Sequence, residues 1–235
     1  MNQAPLTALR DAFLSCRDLD ASLAERLETY SRAVQELLPS YADAVERLIS
    51  HLTEIRAGLS APQPGEPMPP FVLQDQEGRL VSLASILERG PAAITFHRGH
   101  WCPYCRININ ALAKAHDVIS REGGQIIAIV PERQVFAAEF KNDARAHFPI
   151  LTDMDNGYAM SLNLTIWVGE EMKRLIRDEF GHDIASFQGN DAWLLPIPAT
   201  FIVGRDGRIK ERFVDPDYRK RMAIGDLLAA LRSEI

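Results

Sequence analysis

Phe96-His97-Arg98-Gly99-His100-Trp101-Cys102-Pro103-Tyr104-Cys105 decides how the rest of the chain is read. Before it, Ala92-Ala93-Ile94-Thr95-Phe96 is an apolar run of strand length, which predicts a buried strand. After it, residues 106–116 have helical periodicity, with Ile109, Leu112 and Ala113 on one side. Cys-x-x-Cys therefore stands where a strand turns into a helix. The first turn of a helix has unpaired N–H groups and a partial positive charge. Both favour a thiolate, the nucleophilic form of cysteine, over a thiol. Pro103 suits that first turn because it has no N–H to lose. Two cysteines at this spacing can also close a small disulfide ring, so the stretch proposes a thiol redox centre.

Working outward, the prolines divide the chain. Ser60-Ala61-Pro62-Gln63-Pro64-Gly65-Glu66-Pro67-Met68-Pro69-Pro70 forbids helix and favours extended chain. The boundary placed there predicts a helical N-terminal segment, residues 1–60, and a second domain, residues 61–235. In the first, Leu6, Leu9 and Phe13 suggest a short helix. A second helix starts from Asp20 and carries Leu23, Leu27, Tyr30, Val34 and Leu37 until Pro39 stops it. Ser40 and Asp43 resemble a capping box for a third, which carries Tyr41, Val45, Leu48, Leu52, Ile55 and Leu59, with Gly58 near its end. Narrow stripes of this kind fit helix-on-helix packing. They suit an intramolecular hairpin resting on the main domain and, equally, an arm that makes a homodimer through the N-terminal helices.

Beyond the linker, residues 71–73 and 80–83 flank Gly78 as a hairpin, and residues 82–89 form a short helix ended by Gly90-Pro91. The redox strand and helix follow. Strands are predicted at residues 125–130 and 148–151, with helices at 132–146 and 156–162. An irregular stretch from 163 to 195 contains an amphipathic helix near 170–180. Residues 199–203 and 208–214 make a hairpin through Gly204-Arg205-Asp206-Gly207, and residues 217–233 a terminal helix. This order predicts an α/β fold, a mixed sheet with helices on both faces.

The chain has 235 residues, 46% hydrophobic and 25% charged, with a net charge of −6, ordinary for a soluble globular protein. The acidic balance argues against a nucleic-acid surface. No apolar run approaches the roughly 20 residues of a membrane helix, and the opening Met1-Asn2-Gln3-Ala4-Pro5-Leu6 has no signal-like core. A cytoplasmic protein without membrane association is expected. Three cysteines in a reducing compartment make no disulfide framework. Cys102 and Cys105 are thus catalytic or metal-binding, and Cys16, alone, reads as a small buried residue on a helix face. A zinc cluster of His97, His100, Cys102 and Cys105 is the metal alternative. A strand ending at His97 and a helix starting at Pro103 point those side chains apart, so no metal and no cofactor are expected.

The residues from Pro64 to Val214 resemble the alkyl hydroperoxide reductase/thiol-specific antioxidant (AhpC/TSA) family of the thioredoxin superfamily, in particular peroxiredoxin-like members that retain a Cys-x-x-Cys. The resemblance rests on the Pro-rich entry, Phe71-Val72-Leu73 with Asp75 and Gly78, Trp101-Cys102-Pro103-Tyr104-Cys105, and Ile197-Pro198-Ala199-Thr200-Phe201-Ile202-Val203 with Asp206-Gly207. It implies a thioredoxin-like fold after the helical segment, and a thiol-dependent peroxidase reset by an external thiol of the thioredoxin or glutathione system. In the peroxiredoxin pattern Pro-x-x-x-Thr-x-x-Cys, Cys105 takes the attacking position, while Cys102 and Arg98 stand where Thr and Pro would be. The family's peroxide-activating Arg falls near Pro198, and Arg98 is the candidate substitute. In the thioredoxin pattern Cys102 attacks, Cys105 resolves, and Pro198 is a cis-proline facing the pair. That pattern implies a thiol-disulfide oxidoreductase acting on a disulfide substrate. Cys-Pro-Tyr-Cys is also the glutaredoxin tetrad. A non-catalytic redox sensor or adaptor, binding a partner through the helical arm, is the third reading.

Overall fold

The computed structural model describes residues 3–235. Met1 and Asn2, part of the expected 1–60 segment and of the stretch read for a leader, lie outside the described residues. Three helices come first: α1 (Gln3–Asp18), α2 (Leu23–Leu37) and α3 (Pro39–Glu54). The second starts later than expected, because Ser22 rather than Asp20 makes the capping box, with Glu25. The third starts earlier: Pro39 fills its first turn, where a missing N–H costs nothing, and the Ser40–Asp43 cap is not used. It ends at Glu54, so Ile55 and Leu59, counted into its stripe, are exposed.

The linker is non-helical, as its prolines require; it turns at Pro64-Gly65, where the Glu66 N–H donates to the Gln63 carbonyl at 3.0 Å, and it is pinned along its length. The Gly65 N–H donates to the Ile209 carbonyl at 2.7 Å, and the Met68 N–H to that of Gly207 at 2.9 Å. Arg212 donates to the Ala61 carbonyl at 2.7 Å.

The α/β layer follows with β1 (Val72–Asp75), β2 (Leu80–Ser82), α4 (Leu83–Leu87), β3 (Ala92–Phe96), α5 (Pro103–Arg121), β4 (Gln125–Val130), α6 (Gln134–Ala144) and β5 (Ile150–Thr152). A 3-10 turn, Met154–Asn156, leads into α7 (Gly157–Ser161). The stretch read as irregular holds a two-stranded ribbon, β6 (Thr165–Trp167) with β7 (Leu194–Pro196), and two helices, α8 (Gly169–Asp178) and α9 (Ile184–Gln188). The chain ends with β8 (Ala199–Val203), β9 (Ile209–Val214) and α10 (Ile224–Arg232). The expected terminal helix thus starts at Ile224, and residues 217–223 are not helical.

The main sheet runs β2-β1-β5-β4-β3-β8-β9. The three central strands β5, β4 and β3 are parallel, and the flanking pairings are antiparallel, so the sheet is mixed as expected. Its strands alternate between two apolar clusters, as a period of two demands. Ala93, Ile126, Ala128 and Val130 join one; Ile94, Phe96, Ile127 and Ile129 join the other. The N-terminal helices belong to the first cluster. Leu9 and Phe13 of α1, Leu27 and Tyr30 of α2, and Tyr41 and Val45 of α3 are buried there with Trp101 and Tyr104. Burial of a side chain of this size stabilises by about 1.5–3 kcal/mol. The buried parts of the three stripes thus meet α5 and α8 of this chain. Cys16 lies in the same cluster, 3% exposed, where burial pushes its thiol pKa up. No helix among the described residues is long and apolar enough to cross a membrane.

Candidate active site

β3 ends at Phe96 and α5 begins at Pro103, so the sheet delivers the intervening turn to the C-terminal ends of its parallel strands. Cys102 is the N-cap of α5 and Cys105 lies in its first turn. Both are free thiols, and both are buried, at 1% and 0% exposure.

The two sulfurs have different surroundings. Cys105 Sγ accepts the backbone N–H of Arg98 at 3.3 Å and a guanidinium N–H of Arg221 at 3.5 Å. Burial alone would raise its pKa, but the Cys102 thiol, the His97 ring and the Arg221 charge overcome burial and hold it well below the ordinary value. For Cys102 burial dominates, the Cys105 sulfur adds to it, and the thiol is pushed well up despite Arg98. Of the two, Cys105 therefore has the surroundings that favour a thiolate.

Arg98 is buried with its guanidinium between two rings, 3.9 Å from the Tyr218 centroid and 4.9 Å from that of Trp101. Among the described residues it has no carboxylate partner. Burial works against its charge; Cys102, Tyr218 and Tyr41 outweigh burial and keep its pKa above the ordinary value. A buried cation held by ring faces leaves its charge free to stabilise an anion beside it. His97 bonds Thr95 Oγ1 at 2.9 Å, and burial, opposed by Cys105, holds its pKa below the ordinary value. His100 is turned elsewhere, bonded to Asp143 at 2.7 Å. Among the described residues no group of three or more His, Cys, Asp or Glu side chains is arranged to hold a metal ion.

Pro198 requires a correction. No peptide bond of the described residues is cis, so the Ile197–Pro198 bond is trans. The chain runs extended from β7 into β8 there: Ile197 N–H donates to the Leu164 carbonyl at 2.6 Å, and Ala199 already pairs with Phe96. An extended path of this kind asks for no reversal, and trans is the default of an X–Pro bond by about 0.5–1 kcal/mol. Pro198 itself is buried, one residue from the pairing that ends β3.

Three contributors escaped the sequence reading. Arg221 and Tyr218 lie in residues 217–223, read as helix; the turn signal Asp215-Pro216 just before them could have exposed the loop. That loop is braced by Arg219, which pairs with Glu46 of α3 at 2.5 Å and with Asp217 at 2.8 Å. The N-terminal helices thereby help place Arg221. The third is Glu132, fully buried after β4, which accepts the His100 backbone N–H at 2.8 Å. Burial, with some help from Cys105, pushes its carboxyl up to about 8. It packs so closely on the turn that a Cβ on Gly99 would lie 2.4 Å from Glu132 Oε1.

The sequence profile of the AhpC/TSA family matches residues 64–212. The thiol-disulfide oxidoreductase ResA of Bacillus subtilis (strain 168) is 22% identical over 154 residues, covering 65% of this chain and 68% of that protein. The chloroplastic peroxiredoxin Q of Oryza sativa subsp. japonica is 29% identical over 92 residues; the match spans 39% of this chain and only 42% of that protein's length. Among solved structures, peroxidoxin BcpB of Mycobacterium tuberculosis superposes with a TM-score of 0.56 over 73% of this chain and 97% of that one, at 18% identity, which is a likeness of fold. α1–α3 lie outside the matched residues, whereas the turn bearing Cys102 and Cys105 and all of the mixed sheet but the end of β9 lie within them. With its family profile matched over more than half of its length, the chain belongs to the AhpC/TSA family.

Proposed function

We propose that this protein is a thiol-dependent peroxidase in which Cys105 attacks and Cys102 resolves. The observation that carries the reading is the unequal environment of the two sulfurs: Cys105 faces the Arg98 N–H and the Arg221 guanidinium, and Cys102 does not. The Cys105 thiolate attacks the terminal oxygen of a hydroperoxide and the O–O bond breaks. Sulfur is oxidised to a sulfenic acid, and the leaving alkoxide or hydroxide takes up a proton. The Cys102 thiol then condenses with the sulfenic acid, expelling water and forming the Cys102–Cys105 disulfide. A dithiol or glutathione-type reductant returns two electrons by exchange. Arg98 supplies fixed positive charge to both sulfurs, which favours the thiolate before attack. A cytoplasmic setting suits a pair that must be reset by such thiols.

The second reading, a thiol-disulfide oxidoreductase, is favoured by Cys102 at the N-cap of α5, the end of the helix nearest an incoming disulfide. Steady-state consumption of hydrogen peroxide and an organic hydroperoxide, beside reduction of insulin disulfides, separates the two. The peroxidase reading expects peroxide turnover to dominate. Insulin reduction with no peroxide turnover overturns it.

A further inference from the structure

Residues 215–223 link β9 to α10 without helix or strand, and their side chains serve two places. Tyr218 and Arg221 reach the cysteine turn. The Tyr218 ring lies 3.9 Å from the Arg98 guanidinium, and Arg221 Nη2 lies 3.5 Å from Cys105 Sγ. Arg219 turns instead to α3, where its Nη1 meets Glu46 Oε1 at 2.5 Å and its Nη2 meets Oε2 at 3.4 Å. The same guanidinium holds Asp217 through Nε at 2.8 Å and Nη2 at 3.0 Å, and the Arg219 backbone N–H donates to that carboxylate at 3.1 Å. One guanidinium thus ties a carboxylate of its own loop to a carboxylate of α3, with a forked contact to each. A second contact from α3 joins the same loop, because Tyr41 meets the Tyr218 hydroxyl.

Arg221 is not tied in this way. Besides the sulfur, its guanidinium bonds the carbonyls of Tyr218 and Lys220, two residues of the loop that carries it. It therefore goes where the loop goes. The pull of a positive charge on a thiolate weakens with distance and with the entry of water. The fixed position of the loop accordingly sets how much of the Arg221 charge Cys105 feels. The parts that fix it, Glu46 and Arg219, both lie outside residues 64–212, which carry the family match.

We propose that Glu46 and Arg219 are positioning residues for the Cys105 thiolate, which makes the N-terminal helices a working part of the site; for catalysis the proposal rests on the peroxidase reading above. Neither residue bonds a sulfur. Both act through Arg221, by holding the loop that presents it. Asp217, 8% exposed, is the buried end of this clamp. Glu46, with its side chain 56% exposed, is the accessible end.

Glu46 is the residue to change, because Arg219 then keeps Asp217 and no buried charge loses its partner. Glu46→Gln keeps the shape and removes the charge; Glu46→Lys sets a cation against Arg219. The sign of the response separates positioning from plain charge. Removing a negative charge, or adding a positive one, by itself lowers the pKa of a thiol nearby. Loosening Arg221 raises it. The measurement is thiolate ultraviolet absorbance against pH, in a full-length Cys16→Ala/Cys102→Ser chain whose one remaining cysteine is Cys105. In that background the midpoint is expected to move up for Glu46→Gln and further up for Glu46→Lys. With Arg221→Met added, neither substitution should move it up. With all three cysteines present, Glu46→Gln is expected to lower kcat/KM for hydrogen peroxide by about two- to fivefold, the scale of one exposed ion pair. A midpoint that stays or falls, or an upward shift that persists without Arg221, overturns the proposal. If the midpoint shifts as expected while no chain, wild type included, consumes peroxide, the clamp stands and the peroxidase reading falls.

Discussion

Arg221 reaches across 116 residues of chain to set its Nη2 3.5 Å from the sulfur of Cys105. Its other hydrogen bonds are to carbonyls of its own loop, Tyr218 and Lys220, and among the described residues no carboxylate pairs with the guanidinium. Arg221→Met removes the charge and keeps most of the volume. The pKa of the Cys105 thiol is expected to rise, the direction set by losing a nearby opposite charge. Thiolate ultraviolet absorbance followed against pH checks this on a Cys102→Ser background. An unchanged titration means that Arg221 is structural. Arg221→Lys should recover part of the shift, since it restores charge without the planar fork.

Glu132 gives stability a definite dependence on pH. Its folded value of about 8 lies above the ordinary 4.5. Between those values the folded chain holds a proton that the unfolded chain has released. Stability from this group is complete below about pH 4.5, falls as pH rises through that window, and levels off above about 8. Glu132→Gln keeps the shape and the bond from the His100 N–H while removing the titration. Thermal unfolding from acid to mildly alkaline pH should show a smaller decline in Tm for the variant than for the wild type. Parallel curves would count against a buried, protonated Glu132.

Gly99 and Glu132 are close enough to exclude any side chain at residue 99. Gly99 has φ of +135°, a conformation that L side chains rarely adopt, and the missing Cβ would fall 2.4 Å from Glu132 Oε1. Gly99→Ala should cost roughly 1–3 kcal/mol from the backbone alone, with the clash in addition. Denaturant unfolding measures the loss. Shortening the carboxylate in Gly99→Ala/Glu132→Ala should relieve the clash and leave the backbone part.

Much of this was legible in the sequence, for reasons particular to each residue. An apolar run ending at Phe96, a Cys-Pro pair and a helical stripe from Ile109 fix a strand–turn–helix locally, and β3 and α5 lie where that pattern puts them. Local pattern does not encode what arrives from far along the chain. Arg221 meets Cys105 only because β9 hands the chain to a loop that Arg219 ties to Glu46 on α3. The same loop defeats helix periodicity, since its apolar Tyr218 and Met222 are buried among side chains of other elements. The β6–β7 ribbon was missed because its two strands are three residues each and 26 residues of chain lie between Trp167 and Leu194. The cis assignment of Pro198 was carried over from a family pattern, and the extended run into β8 has no use for it.

The division at the linker predicts the behaviour of a fragment. Residues 61–235 contain the whole main sheet and nearly all of the apolar cluster built on Phe96, Phe201 and Leu151. Removing residues 1–60 uncovers Tyr104, whose ring meets Tyr30 at 5.1 Å, and deprives Arg219 of Glu46. The fragment should keep a cooperative transition at a lower Tm than the full chain. A fragment with no cooperative transition refutes the two-part organisation.

The two cysteines themselves decide the mechanism. If the thiolate sits on Cys105, Cys102→Ser leaves the nucleophile intact and removes only the partner that condenses with it. That variant should consume one equivalent of peroxide and stop as a sulfenic acid on Cys105, labelled by dimedone and located by mass spectrometry. Cys105→Ser leaves Cys102, whose burial pushes its pKa well above the ordinary value. A thiol held well above its ordinary pKa is almost wholly protonated at neutral pH, so this variant should be unlabelled on the same timescale. Raising the pH should bring its reaction in, because more of Cys102 then ionises. The disulfide-exchange reading expects the reverse order, with Cys105→Ser trapping a mixed disulfide on Cys102 and Cys102→Ser inert. Wild-type protein treated with peroxide should carry no label and instead lose both free thiols, since condensation of Cys102 with the Cys105 sulfenic acid outruns an external trap. A label on Cys102 in the Cys105→Ser variant, and none on Cys105 in its counterpart, would sink the assignment of Cys105 as the attacking sulfur.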